Sequence, residues 1–386
     1  MSVRVPIARP EMGEPEWQAV REVIESGWVT QGPRVQRFEE AMAEYCGAEH
    51  AVAVSSCTTA LHLSLVVAGV GPGDEVIVPS MSFIATANAV VHAGATPVFA
   101  EVEPDTFNLD LADVERRVTD RTRAIVLVHQ LGLPADIDAF QAFARARGLA
   151  LVEDAACAIG SSYRGATIGS HTDLVCFSFH PRKLVTTGDG GMVLTSSAEV
   201  AERLRLLRQH GMSVNDRVRS TATTVIRESY VEVAWNYRLT DVQAAMGVEQ
   251  LRRLPGMLET RRALAARYDA ALGGHPVIRT PAVPGDVTWN VQSYAVRLEG
   301  WGAAERDAVM GRMLGAGIAT RAGVMTAHRE PAYAGWPGSG PGALPVSEQA
   351  SDSSLVLPLF TTLTEADQDA AIEALRDAVD EVGSGA

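Results

Sequence analysis

From residue 51 onward, short apolar runs alternate with amphipathic stretches. Residues 51–55, 75–79, 96–101, 124–129 and 150–153 are dominated by Val, Ile, Leu and Ala. Between them, 57–68, 83–92, 109–118 and 137–147 repeat apolar residues at helical spacing. A strand that is apolar throughout has both faces covered, which predicts an α/β fold with a mostly parallel sheet between helices. An amphipathic segment at 15–26, a turn at 27–33 and a second helix to about residue 45 come before this alternation. Helices at 200–210 and 241–254 close the large unit. Pro255, followed by a helical segment at 258–272, predicts a hinge. Beyond it a strand at 293–298 and helices at 303–314 and 365–382 predict a small α+β unit. The chain therefore divides into 1–255 and 256–386, with the Gly- and Pro-rich stretch 334–345 as a loop. Ligands of open α/β sheets bind outside the carboxyl ends of the strands. Residues that follow strands are the first place to look for chemistry.

Composition narrows the choice of function. With 386 residues, 47% hydrophobic and 21% charged, the chain has an ordinary globular make-up. Its formal charge of -14 argues against nucleic acid or an anionic membrane as partner. Any phosphate must then be held by local devices such as helix N-termini. Cys46, Cys57, Cys157 and Cys176 follow no metal-ligand spacing and no disulfide pattern, so no metal and a reducing compartment are expected. The start, Met-Ser-Val-Arg-Val-Pro-Ile, has no apolar core of a signal peptide, and no apolar run reaches the length of a membrane span. The expectation is a cytoplasmic protein.

One residue changes the picture. Of the 33 Lys and Arg residues, 32 are arginine, and Lys183 is the single lysine. Arginine serves for surface charge but cannot lose its proton and act as an amine. Lysine can condense with a carbonyl to form a Schiff base. Lys183 lies in Ser178-Phe179-His180-Pro181-Arg182-Lys183, after the buried-looking run 174–177 and before Gly188-Asp189-Gly190-Gly191. Glycines, hydroxyls and a buried strand are not the setting of a solvated lysine.

Two other strand ends fit the same chemistry. Asp154 closes the run 150–153, and a buried carboxylate there is costly unless a cation faces it. The pyridinium nitrogen of pyridoxal phosphate (PLP) is such a cation, although a strand-end Asp serves equally well as a helix cap. Ser55-Ser56-Cys57-Thr58-Thr59 joins the first strand to its helix, so free N–H groups and a positive dipole end converge there. Phe83 could lie flat on a ring, or belong to the core. No Gly-x-Gly-x-x-Gly follows a strand, so a dinucleotide site has no support.

Taken together, Ser56-x-Thr58-x-Ala60-Leu61, residues 73–80, Glu153-Asp154-Ala155-Ala156, Ser178-Phe179-His180-x-x-Lys183, Gly188-x-Gly190-Gly191-Met192 and the stretch 236–245 resemble the DegT/DnrJ/EryC1/StrS aminotransferases. The resemblance runs from about residue 6 to the C-terminal helix. It implies a PLP-dependent transferase of fold type I with a smaller C-terminal α+β domain, working through pyridoxamine phosphate as its other form. By matched position it implies Lys183 as imine-forming residue and proton shuttle, and Asp154 on the pyridinium nitrogen. It implies Ser178, Thr58 and the Thr59 backbone on the phosphate, and Phe83 on the ring. Asn236 is implied to reach across a homodimer to the neighbouring site, and His328 to lie beside substrate. Trp28, Thr30, His180 and Arg321 are further substrate candidates, with Arg329, the arginines of 216–227 and the 289–292 stretch. Cys57 stands where the family usually has glycine or alanine, and Cys157 where a better donor usually meets the ring hydroxyl.

The expected reaction moves an amino group from L-glutamate or L-glutamine to a keto sugar, most commonly a nucleotide-linked one, in specialised-metabolite or cell-surface sugar biosynthesis. A keto-cyclitol is the competing acceptor. A Schiff-base aldolase without PLP would leave Asp154 and the 55–59 turn unexplained. A cofactor-binding regulator would need an appended domain for which the chain has no spare segment.

Overall fold

The computed structural model describes residues 3–214, 219 and 222–384. Helices α1 (Glu14–Ser26) and α2 (Pro33–Cys46) lead into strand β1 (His50–Val54) and helix α3 (Cys57–Val67). The alternation continues with β2 (Glu75–Pro79), α4 (Ala85–His92), β3 (Thr96–Ala100), α5 (Leu111–Arg117), β4 (Thr122–Val128), α6 (Ile137–Arg147) and β5 (Ala150–Asp154). Short strands β6 (Ser162–Tyr163) and β7 (Ala166–Thr167) precede β8 (Val175–Ser178), β9 (Gly191–Thr195) and α7 (Ala198–Leu207). Seven strands form one sheet in the order β1-β9-β8-β5-β4-β2-β3. Neighbours from β8 to β3 run parallel, and β9 runs antiparallel to both β8 and β1.

The strands look uniformly apolar because both faces are buried. Ala51, Ala53, Ile125 and Leu127 pack with Phe38, Phe140 and Leu251 on one side. Val52, Val54, Val126 and Val152 pack with Leu61, Val90 and Leu204 on the other.

The chain does not break at Pro255. Helix α8 (Asp241–Leu272) runs through it as one element, starting on a Thr240 cap that accepts from Gln243 N–H. A proline inside a helix costs about 3 kcal/mol relative to alanine. Burial on both sides offsets that cost. Leu251, Leu254 and Leu258 sit in the first core. Leu264, Ala265, Tyr268 and Leu272 sit in a second one with Tyr294, Val296, Leu355 and Leu375.

Beyond α8 come β10 (Ile278–Arg279), β11 (Val287–Thr288), β12 (Tyr294–Leu298), α9 (Ala303–Gly315), β13 (Arg321–Ala322), α10 (Pro345–Ser353), β14 (Ser354–Leu357) and α11 (Glu365–Ser384). An antiparallel sheet β10-β12-β14-β13 carries the second core, while β11 pairs with β6. Val5 bridges Ile318 and is buried in this second core, so the first residues of the chain pack with the last. No described helix is long and apolar enough to cross a membrane. Among the described residues no group of three or more His, Cys, Asp and Glu could hold a metal ion.

Candidate active site

Strand β5 ends at Asp154 beside the ends of its parallel partners, with Val128 and Cys176 in register. The Asp154 side chain is 5% exposed. Its carboxylate accepts from Thr86 Oγ1 at 2.8 Å and Ala156 N–H at 3.1 Å. On the opposite face of β5, Ala135 N–H donates to His129 Nδ1 at 3.1 Å, so the ring proton sits on Nε2 and goes to Glu153, 2.8 Å away.

Lys183 stands in the loop that follows β8. Phe179 N–H to the Gly190 carbonyl, Thr187 N–H to the Phe179 carbonyl, and Thr186 Oγ1 to the same carbonyl fold that loop back on itself. Lys183 Nζ lies 3.0 Å from Cys157 Sγ. Burial pushes the amine toward neutrality, but the Cys157 and Cys57 thiols and Asp154 outweigh it and hold its pKa above the ordinary lysine value. Burial raises the Asp154 pKa against Thr86, Ala156 and Lys183, which favour its anion. The half-buried lysine and the buried strand-end acid thus act on each other electrostatically.

The turn before α3 is capped from within. Ser56 Oγ accepts from Thr59 N–H at 3.2 Å, and Thr59 Oγ1 donates to the Ser56 carbonyl at 2.8 Å. The Thr59 N–H is therefore committed inside the cap. Cys57 and Thr58 N–H have no partner among the described residues and are the groups this helix end offers. A Cβ at position 191 would come within 2.4 Å of the Ser56 backbone, so glycine there lets β9 lie against the turn. Ser178 is buried, and its hydroxyl accepts weakly from His180 N–H at 3.4 Å. A buried carboxylate matched to a cation, an amine and a helix end with spare N–H groups fit a phosphate-bearing pyridinium such as PLP.

A four-residue loop, 289–292, braces the site from the C-terminal unit. Asn290, fully buried, donates to the carbonyls of Cys157 at 2.7 Å and Ile159 at 2.8 Å. Gln292 Nε2 donates to the Arg182 carbonyl at 2.6 Å. Val291 has φ 55°, and Arg261 of α8 holds both its carbonyl and that of Gln292, at 2.9 and 2.7 Å. Sequence reading placed this loop near substrate. Its side chains instead hold the backbones that carry Cys157 and Lys183. The one available signal was two polar residues beside the apolar run 293–298.

Two of the expected substrate residues are tied into the framework instead. His328 is 1% exposed, with Nδ1 2.5 Å from Ser80 Oγ and Nε2 3.0 Å from Glu348. Both ring nitrogens are taken, so it is a buried tie between β2 and α10 rather than a group facing substrate. Arg329 makes a two-pronged pair with Asp352, both contacts at 2.8 Å, and is likewise structural. Arg321 is exposed, its pKa lowered by partial burial and by Arg182. Phe83 is 63% exposed. Asn236 is exposed and accepts from Arg238 Nε at 3.0 Å. Trp28 donates to the Gln31 carbonyl at 3.2 Å, and the Thr30 carbonyl accepts from Asp241 N–H at 3.1 Å, docking that turn on the start of α8. Gln243 then donates to the Asp189 carbonyl in the lysine loop at 2.8 Å. His180 is exposed, and its Nδ1 accepts from Arg182 N–H at 3.2 Å. Residues 215–218, 220 and 221 of the arginine-bearing segment lie outside the described residues.

Residues 10–376 match the DegT/DnrJ/EryC1/StrS aminotransferase family. The spore coat polysaccharide biosynthesis protein SpsC of Bacillus subtilis (strain 168) is 38% identical over 377 residues, 97% of this chain and 97% of SpsC. The aminotransferase TlmJ from Streptoalloteichus hindustanus superimposes with a TM-score of 0.90 at 37% identity, over 98% of this chain and 100% of TlmJ. The PLP form of Spr1654 from Streptococcus pneumoniae superimposes with a TM-score of 0.91 at 30% identity, over 98% of this chain and 99% of Spr1654.

Proposed function

The chain belongs to the DegT/DnrJ/EryC1/StrS aminotransferase family and is a PLP-dependent sugar aminotransferase; from that premise we propose that it takes the amino group of L-glutamate or L-glutamine and delivers it to a nucleotide-linked keto sugar. The observation that carries the assignment is the placing of the single lysine, its amine 3.0 Å from Cys157, within electrostatic reach of the buried strand-end acid.

In this reading Asp154 holds the pyridinium charge, with Thr86 and Ala156 fixing its two oxygens. Cys57 and Thr58 N–H, the Thr58 hydroxyl and Ser178 hold the phosphate. Bound PLP supplies the electron sink for the pair left when the donor's α-proton departs. Lys183 carries that proton, which it can do only when neutral. Asp154 helps keep the amine protonated, so a cation set against Asp154 loosens the lysine's proton. Cys157 stands beside the amine, and toward a ring hydroxyl it would offer only a weak thiol donor. Residues 1–255 hold the cofactor, and 256–386 supply the brace at 289–292.

The working form in this proposal is a cytoplasmic homodimer. Phe83, exposed beside the site, is free to lie on the ring, while Val225, Tyr230, Val231 and Val233 are exposed apolar residues just before the exposed Asn236. A second copy would cover them and receive Asn236 at its phosphate. Trp28, Thr30, His180 and Arg321 form the substrate side.

Lys183→Arg keeps the charge and cannot form an imine, so turnover should be lost. Amino transfer by that variant, with an unchanged cofactor absorbance band, would end the proposal. Single-turnover spectra with glutamate against glutamine identify the donor. The pyridoxamine-loaded enzyme should then consume nucleotide-linked keto sugars; selective consumption of keto-cyclitols would replace the acceptor. Dimers mixed from Lys183→Ala and Asn236→Ala chains should recover activity absent from either parent, and no recovery would remove Asn236 from the neighbour's site.

A further inference from the structure

All four cysteines are free, and two of them, Cys57 and Cys157, act on Lys183. Cys176 is buried with its sulfur 3.2 Å from Ser64 Oγ, and Cys57 Sγ points to the Cys176 carbonyl at 3.8 Å. Cys157 is placed differently, because its sulfur meets the Lys183 amine at 3.0 Å. Both partners are held. Asn290 fixes the Cys157 carbonyl at 2.7 Å, and Gln292 fixes the carbonyl preceding Lys183 at 2.6 Å. One four-residue loop thus sets the distance between an amine and a thiol that are 26 positions apart.

We propose that Lys183 and Cys157 form an oxidation site, in which dioxygen or a peroxide joins them through a single oxygen atom as an N–O–S link whenever the lysine is not engaged by its cofactor. With dioxygen the amine gives up one hydrogen and the thiol gives up its one. One oxygen atom bridges Nζ and Sγ, and the other leaves with the two hydrogens as water. The nitrogen–sulfur pair loses four electrons and dioxygen gains them; with hydrogen peroxide two molecules are consumed, one oxygen atom stays in the bridge and three waters leave. In the reverse step four external thiols become two disulfides. The bridging oxygen then leaves as water, and amine and thiol return. Two groups held in contact react as if at very high concentration, so the link should outpace further oxidation of the sulfur. It would store the enzyme in a form that neither binds cofactor covalently nor loses Cys157 irreversibly. The link itself depends on no substrate. Only the shielding by PLP rests on the function proposed above.

The test uses the full chain, PLP-loaded or stripped with hydroxylamine, and treated with hydrogen peroxide. Stripped protein should gain one oxygen and lose two hydrogens by intact mass. Its digests should join the segments bearing residues 157 and 183, and dithiothreitol should reverse both changes. Cys57→Ser should still form the link. Cys157→Ser and Cys157→Ala, each checked for native near-ultraviolet dichroism, should not. A Cys57–Cys157 disulfide, which only loses two hydrogens, or an oxidised Cys157 beside an unmodified lysine, overturns the proposal. If PLP-loaded protein links as fast as stripped protein, the oxidation site stands and the cofactor role of Lys183 falls.

Discussion

At Lys183 burial favours the neutral amine while two thiols and a carboxylate favour the charged one. Removing the carboxylate's charge shifts that balance and takes away the partner of the pyridinium. Asp154→Asn should lower kcat on the order of 100-fold, measured against any change in cofactor absorbance. A second buried group gives a test by pH. His62 is 3% exposed, packed edge-on against Trp235 at 4.8 Å, with Nδ1 3.3 Å from Tyr237 Oη and His92 nearby. Burial first, and the charge of His92 second, lower its pKa to about 4. Between its ordinary value and that one the unfolded chain binds the proton and the folded one refuses it, so stability falls as pH falls through that window. The full loss is on the order of 3 kcal/mol. His62→Gln should melt with a flatter dependence between pH 7 and 4 than the parent; parallel melting curves would contradict the assignment. Lys183 and Asp154 were legible as candidates, because a lone lysine and a strand-end acid stand out in sequence, and the fold sets them within electrostatic reach of each other.

Among the elements, the parallel strands were legible because burial on two faces writes an apolar run into the sequence. Strand β13, two residues long, and β14, which continues directly from α10, were not, since their pairing partners define them. The helix across Pro255 was misread for the opposite reason. Local propensity predicts a break there, and the two cores that hold α8 on either side are invisible in a window of residues. The 289–292 loop escaped because a side chain that grips a backbone carbonyl leaves no periodic mark. Its weight is testable. Asn290→Ala strands the buried carbonyl of Ile159 and the half-buried one of Cys157, and should cost about 1–3 kcal/mol for the buried partner left unpaired. His328→Ala should likewise show itself in denaturant midpoint, by about 1–3 kcal/mol, before it shows in KM for the keto substrate. A large KM change at unaltered stability would restore His328 to the substrate side.

For the whole molecule, α8 is shared by both cores, and Val5 ties the start of the chain to the second. The two units should therefore unfold together. Tryptophan fluorescence, which includes the second-core Trp289, and far-ultraviolet dichroism should give one coincident thermal transition. Two separated transitions would show that the helix does not couple them. Continuity also fixes a rotational phase. An α-helix turns about 100° and advances about 1.5 Å per residue. Deleting one residue between Leu258 and Leu264 would swing Tyr268 and Leu272 a quarter-turn or more off their core and carry the 289–292 brace out of line with the lysine loop. Insertions and deletions are thus barred from this span, and drift in chain length has to collect in stretches with no phase to keep, such as the turns between residues 334 and 344.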